Sequence, residues 1–292
     1  MVQSTTKICK WQNKLGWTLN ERDPEFIKSL MPIWEWLYNN YFHVQTSGWG
    51  QIPTKQKVLV VGSHNGGLAA PDMIMMMWEW FHRFGMEQPI YGLMHPSIWK
   101  VFPHVAKIVA KTGAIFAHPK MAYMALRSGA SVLLYPGGAQ DVFRPHHLRN
   151  KIYFANSKSF IKLALREKVP IVPVISCGAH DTLYIITDAY DLVNKLHELG
   201  MPWLLGIDPI VFPIYIGLPW GLGMGPLPNI PLPIPIHTRV CPPIVFDHYG
   251  EKVACDRNYV DQCYELVLSQ MQLELDALVR VAKTRIHLPF YK

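Results

Sequence analysis

Cysteine is scarce and unpatterned in this chain: Cys9, Cys177, Cys241, Cys255 and Cys263 are odd in number and include no CxxC pair. That excludes a disulfide framework and a thiolate metal site, and it implies a reducing compartment. Long apolar runs are missing as well. No uninterrupted stretch of about 18 apolar residues occurs, so a conventional membrane-spanning helix is not expected. The nearest approach, residues 201–224, carries Asp208 and the prolines Pro209, Pro213 and Pro219, which would strip a lipid-exposed helix of backbone hydrogen bonds. Such a segment suits lying on a membrane rather than crossing it. The first residues, MVQSTTKICKWQNKLGW, lack the apolar core of a secretory signal, so no cleavage is expected. No dense Lys/Arg tract marks a nucleic-acid partner, and no HExxH spacing marks a metal. Ser63 has Val61 where the elbow of a serine hydrolase needs glycine.

What the chain has in quantity is apolar and aromatic surface. Half of its 292 residues are hydrophobic, only 17% are charged, and it holds ten Trp and thirteen Met. That is enough for one large core and for a surface that tolerates apolar partners. The net charge of +7 fits an anionic partner such as a lipid headgroup or a phosphorylated cosubstrate.

Residues 24–42 read as a helix opened by Asp23 and Pro24, with Phe26, Leu30, Ile33, Leu37 and Tyr41 at helical spacing. Two readings stand: a monotopic anchor with aromatics at the headgroup level, or a helix packed on the domain and kinked at Pro32. From Lys57 onward, β-branched runs at Val58–Val61, Ile90–Met94, Ala114–Ala117, Ser131–Tyr135 and Ile171–Ile175 alternate with helical patterns at 72–84, 97–111, 119–128 and 157–167. This alternation predicts an α/β fold, a mixed and largely parallel central sheet flanked by helices, with an N-terminal helical extension. The proline-rich stretch 202–246 predicts edge structure and long loops, with strand-like pieces at Ile210–Ile216 and Thr238–Val245. Residues 257–284 predict a long closing helix whose stripe Val260, Tyr264, Val267, Met271, Leu275, Leu278 and Ala282 packs on the core. The expected division is an extension over 1–50, suited to membrane docking, and one catalytic domain over 51–292.

Chemistry concentrates where strands end. His64 follows the strand Val58–Val61, at the carboxyl edge where open α/β sheets bind ligands. Imidazole is the side chain whose ordinary ionisation falls near neutral pH, so it can take a proton from a hydroxyl when a carboxylate orients it. Asp72 is that carboxylate if Gly66 and Gly67 fold the loop back; otherwise it only caps the helix that follows. A second strand ends in Pro136, Gly137 and Gly138, a turn whose backbone N–H groups suit an oxyanion. A third segment, Val169-Pro170-Ile171-Val172-Pro173-Val174, is a short strand guarded by two prolines.

The order of these three segments resembles the glycerolipid acyltransferase superfamily, which includes the 1-acylglycerol-3-phosphate acyltransferases. That family has a His and a nearby Asp after a first strand, then a Phe-Pro-Glu-Gly-Thr-Arg-like turn, then a Val-Pro-Ile-Val-Pro-Val-like strand. Here their places are taken by His64 with Asp72, by Tyr135-Pro136-Gly137-Gly138, and by residues 169–174, so the resemblance spans roughly residues 55–247. Two departures stand out. Seven residues separate His64 from Asp72 where most members have four, and Gly137 and Gln140 stand where many members have Glu and Arg. The Pro-Gly-Gly form looks more like the branch of diacylglycerol acyltransferase 2-like proteins and phytyl ester synthases, whose acceptors are uncharged alcohols.

The resemblance implies an O-acyltransferase with no cofactor, using acyl-CoA or acyl-carrier protein as the acyl donor and a lipid hydroxyl as acceptor. His64 would be the base and Asp72 its partner. Gly66, Gly67, Pro136, Gly137, Gly138, Gln140, Arg144 and Arg149 would line the substrate site, and the protein would sit on the cytoplasmic side of a membrane. Gln140 offers hydrogen bonds but no charge, which favours diacylglycerol or a long-chain alcohol. Arg144, Arg149 and Lys151 lie close downstream and keep a lysophospholipid acceptor open. A non-catalytic lipid-binding module on the same fold is the alternative of another class.

Overall fold

A strand buried on both faces needs apolar residues at every position, and Leu59–Gly62 (β2) supplies them. The computed structural model describes residues 14–53, 56–203, 206 and 208–286, the last four through their backbone, so Cys9 and residues 1–13 of the segment read for a signal lie outside the described residues. Ser131–Leu134 (β5) and Ile171–Cys177 (β6) run parallel to β2 on either side, with Leu59 opposite Val132 and Ile171. Ile90–Met94 (β3) and Ala114–Phe116 (β4) extend the parallel block beyond β5. Past β6, His237–Val240 (β10) pairs antiparallel, and Gln45–Ser47 (β1) closes that edge. The order is β1-β10-β6-β2-β5-β3-β4, a mixed and largely parallel sheet.

Period-two alternation sends each strand's residues to two separate cores. Val58, Val60, Leu133 and Val172 pack against Ile27 of Pro24–Trp36 (α1) and Met76 and Trp80 of Pro71–Phe84 (α2). Leu59, Val61, Val132 and Leu134 face Pro119–Arg127 (α5), Ser159–Glu167 (α7), Glu251–Cys255 (α9) and Arg257–Ile286 (α10). The predicted stripe of α10, from Val260 to Ala282, is buried at every position.

Four expectations are corrected. The helix read over 97–111 is two, Pro96–Val101 (α3) and Pro103–Lys111 (α4), because Pro103 has no N–H to continue the ladder and Phe102 leaves the helical region. The first helix runs through Pro32 and widens into a π turn over Leu37–Tyr41. Its packed stripe is Ile27, Met31, Trp34 and Tyr38, not the one through Phe26 and Ile33, so α1 lies against the domain with Ile33 and Trp36 outward. β10 is not edge structure but the second strand of the main sheet, and it stops at Val240 before the Pro242-Pro243 pair. Residue 50 is also not where the structure divides, since β1 lies in the main sheet and Trp49 in its core.

Pro213–Gly217 (β8) joins Tyr184–Asp188 (β7) and Gly221–Met224 (β9) in a second, antiparallel sheet. Among the described residues, no helix is long and apolar enough to cross a membrane.

Candidate active site

β2 and β5 are parallel neighbours, so their carboxyl ends open on one edge. The helices that carry the chain on to the next strands, α2 after β2 and α7 before β6, cover opposite faces of the sheet, the arrangement in which open α/β sheets bind ligands at strand ends. His64 stands two residues beyond β2, and Tyr135-Pro136-Gly137-Gly138 follows β5 directly. The two turns meet: the His64 and Tyr135 rings stack with centroids 4.4 Å apart. Gly137 suits a position where no side chain fits, because a Cβ there would stand 2.1 Å from the Tyr153 carbonyl oxygen. Gly138 opens the one-turn helix Gly138–Val142 (α6), and its N–H donates to the Tyr135 carbonyl. Gln140 is exposed.

The loop after His64 folds back as the glycine pair predicts. Gly66 and Gly67 take left-handed φ values of 81° and 70°, a 3-10 turn spans Gly67–Ala69, and α2 begins at Pro71. This compaction absorbs the seven intervening residues and sets Asp72 Oδ1 3.7 Å from His64 Nδ1. That is an ion-pair distance, longer than a hydrogen bond, and Nδ1 is buried with no hydrogen-bond partner. Asp72 itself is buried and accepts from the Asn65 side-chain amide at 3.1 Å and the Met73 N–H at 2.8 Å. The cap position belongs to Ala70, so Asp72 is a first-turn residue of α2 that also faces the imidazole.

Below the loop lies a buried ion pair that sequence reasoning missed. Asp141, fully buried in α6, accepts from the His64 backbone N–H and from Arg144 Nη1 at 2.7 Å. Arg144 donates in turn to the carbonyls of His64 (2.7 Å), Asp141 (2.7 Å), Leu148 (3.1 Å) and Arg149 (2.9 Å), and to Asn65 Oδ1. The pair therefore grips both backbone polar groups of His64 and, through Asn65, the carboxylate of Asp72. Burial pushes the Asp141 carboxyl up to about 6, against the Arg144 guanidinium and the His64 N–H, which pull it down. His180 packs beneath, its Nε2–H donating to the Arg144 carbonyl at 2.9 Å, and burial holds its imidazole neutral.

The place expected for Arg144 on a substrate phosphate is thus corrected: its guanidinium is spent on protein acceptors. Arg149 is partly exposed and pairs with Asp181 at 3.3 Å, beside His146 on the same carboxylate at 2.8 Å. The clue to the buried pair was present in DVFR: an acid and an arginine three apart, on one face of a helical turn beside apolar neighbours. Among the described residues, no group of three or more His, Cys, Asp or Glu is arranged to hold a metal ion.

Residues 43–176 match the model of the acyltransferase family. An uncharacterized protein of Mycobacterium tuberculosis is 26% identical over 212 residues, which are 72% of this chain and 55% of that protein. Phytyl ester synthase 2, chloroplastic, of Arabidopsis thaliana is 28% identical over 152 residues, 49% of this chain and 21% of that protein. Among solved structures, the 1-acyl-sn-glycerophosphate (LPA) acyltransferase PlsC of Thermotoga maritima is similar with a TM-score of 0.49 and 16% identity, over 87% of this chain and 79% of that one. The chain spans about half the length of the mycobacterial relative it matches.

Proposed function

We propose that this chain, whose residues 43–176 match the acyltransferase family model, is an O-acyltransferase of lipid metabolism with His64 as its general base. The observation that carries the reading is His64 at the carboxyl end of β2, its Nδ1 turned to the buried Asp72 and its ring stacked on Tyr135, which leads into the Pro-Gly-Gly turn after β5. With Nδ1 facing the carboxylate, Nε2 is the nitrogen left for substrate. It takes the proton of the acceptor hydroxyl as that oxygen attacks the thioester carbonyl of acyl-CoA or acyl-carrier protein. The tetrahedral oxyanion draws on backbone N–H groups of the two glycine turns. Gly138 is committed to Tyr135, which narrows the donors to Gly66, Gly67 and Gly137. Collapse breaks the C–S bond, and the imidazolium returns the proton to the leaving thiolate.

Asp72 stabilises the imidazolium and fixes its orientation. For Asp72→Asn we expect the turnover number to fall about a hundredfold with KM within about twofold, measured by steady-state kinetics. Unchanged turnover would reduce Asp72 to a residue of the helix start.

A neutral acceptor, diacylglycerol or a long-chain alcohol, is favoured because Gln140 is uncharged and the nearest candidate to replace an arginine there, Arg144, is wholly engaged. The likeness to a protein named for phytyl ester synthesis points the same way. The test is purified protein with labelled acyl-CoA and a panel of diacylglycerol, long-chain alcohol and lysophosphatidate. Ester formation on the uncharged acceptors is the expected result, and acylation of lysophosphatidate alone would overturn the neutral-acceptor reading. The acceptor and donor then meet at a membrane surface on its cytoplasmic side, with the protein bound peripherally.

A further inference from the structure

An antiparallel sheet packed on one side normally turns polar side chains to water on the other. The second sheet does not. Ile185 and Tyr215 turn inward and are fully buried with Phe143 and Leu183. Tyr184, Ile216 and Leu222 stand in one cross-strand row on the outer face, exposed by 48%, 52% and 65%. Met224 continues that face, and Leu218 and Trp220 are exposed at the β8–β9 turn. Residues 209–236 include no Asp, Glu, Lys, Arg or His across 28 positions.

The register sets the direction of this surface. Asp188 pairs with Pro213, and Tyr190 holds Asp208, so the acidic residues gather at one end. The charge-free turn at Gly217–Gly221 lies at the other, Tyr184 end. That end is the one tied to the candidate active site. The Tyr184 ring lies 4.4 Å from that of His146. Ile230 N–H donates to the Leu218 carbonyl at 2.8 Å, while the adjacent Asn229 holds the Gly66 carbonyl and the Ala69 N–H, both at 3.1 Å. One proline-rich strap thus joins the turn to the His64 loop.

We propose that the outer face of β7-β8-β9, led by the turn at Trp220, seats the protein in the headgroup region of a net-neutral lipid leaflet and presents the His64 loop to lipid held there. This rests on the acyltransferase reading for its choice of substrate. β8, β9 and the turn between them carry no Asp, Glu, Lys, Arg or His, so they enter an apolar layer without desolvating charge. Trp220 Nε1 already donates to the Pro228 carbonyl at 2.7 Å, so the ring brings no unpaired donor. Tyr and Trp are the side chains that favour the boundary between headgroups and hydrocarbon. A protein partner would instead be matched by a polar rim around an apolar centre, and these 28 residues supply no charged rim. Of the two segments whose sequence suits a membrane surface, residues 24–42 and 201–224, contact therefore falls to the second, on the sheet beside the site.

The experiment is flotation of the full chain with phosphatidylcholine vesicles, comparing the wild type with Leu222→Asp, Met224→Asp and, on α1, Trp36→Asp. Circular dichroism confirms that each variant is folded, and the two sheet variants guard against a local folding failure in either one. Both sheet variants are expected to lower the vesicle-bound fraction about tenfold or more, with Trp36→Asp near wild type and binding little changed by salt. Turnover of a short-chain acyl-CoA with a water-soluble alcohol should stay within about twofold, since neither residue lies in the His64 site. Retained flotation by both sheet variants, or loss only in Trp36→Asp, overturns the proposal. A shift from dimer to monomer in sedimentation with flotation unchanged does so too, by assigning the face to a second copy. Failure of the acyltransferase reading is separately visible, as Leu222-dependent flotation in a protein that esterifies nothing.

Discussion

Replacing His64 with alanine is expected to lower acyl transfer about a thousandfold while leaving the protein folded. The magnitude follows from the role: general-base help of this kind contributes roughly a hundred to ten thousandfold. Structural cost should be small, because the groups that hold the loop are the backbone N–H and carbonyl of residue 64, which alanine keeps. What is lost is the stacking on Tyr135, worth about 1 kcal/mol, and the contact with Asp72. Thermal unfolding alongside steady-state kinetics checks both halves. KM should move little, since the imidazole acts on the hydroxyl proton rather than on the body of either substrate. A His64→Ala protein with wild-type turnover would remove the base, and one with full cellular effect would favour the lipid-binding module.

The second large effect concerns stability, and its two variants should differ in their pH dependence. Asp141→Ala leaves the Arg144 guanidinium buried without its counter-ion, and Arg144→Met leaves the Asp141 carboxylate buried without its cation. Each should cost about 3–5 kcal/mol near pH 8, the range for breaking a buried pair from one side. A guanidinium cannot shed its proton, so the Asp141→Ala deficit should not shrink down to pH 5, and it widens as the wild-type Asp141 carboxyl neutralises. A carboxyl can take one up. Burial already raises Asp141 to about 6, and removing Arg144, the strongest influence holding it down, raises it further. A group whose folded value lies above its unfolded one gives stability that is full below the unfolded value and lost as pH rises through the folded value. The Arg144→Met deficit should therefore shrink on acidification from pH 8 to 5, as the buried carboxyl neutralises. Urea unfolding at the two pH values reads this directly, and parallel curves for the two variants would refute the assigned ionisations.

Much of this architecture is legible in the sequence. Ile90–Met94 is a strand over the same five residues that its pattern predicts, and the α10 stripe is buried throughout, because strand and helix periods are local properties of a chain folding onto a core. The β7 strand escaped notice for the opposite reason. Its exposed Tyr184 and Ile186 flank the buried Ile185, so the alternation that marks a half-exposed strand is absent from YIITD. β10 was misplaced because proline neighbours suggested an edge, whereas they only limit the strand's length.

The site divides along the same line. Sequence alone determined that His64 follows a central strand, that a glycine pair permits the loop after it to turn back, and that a Pro-Gly-Gly turn ends a second strand. Each of these is written in a few adjacent residues. Only the tertiary structure decided that Asp72 faces the imidazole across seven residues, that Arg144 is consumed by Asp141 and the His64 loop, and that the charge-free turn meets the site. Those outcomes depend on which strands become neighbours and on how donors find acceptors 80 to 163 positions away. Partner choice at that range is set by topology and by the cost of burying unpaired charge, neither of which a local pattern encodes.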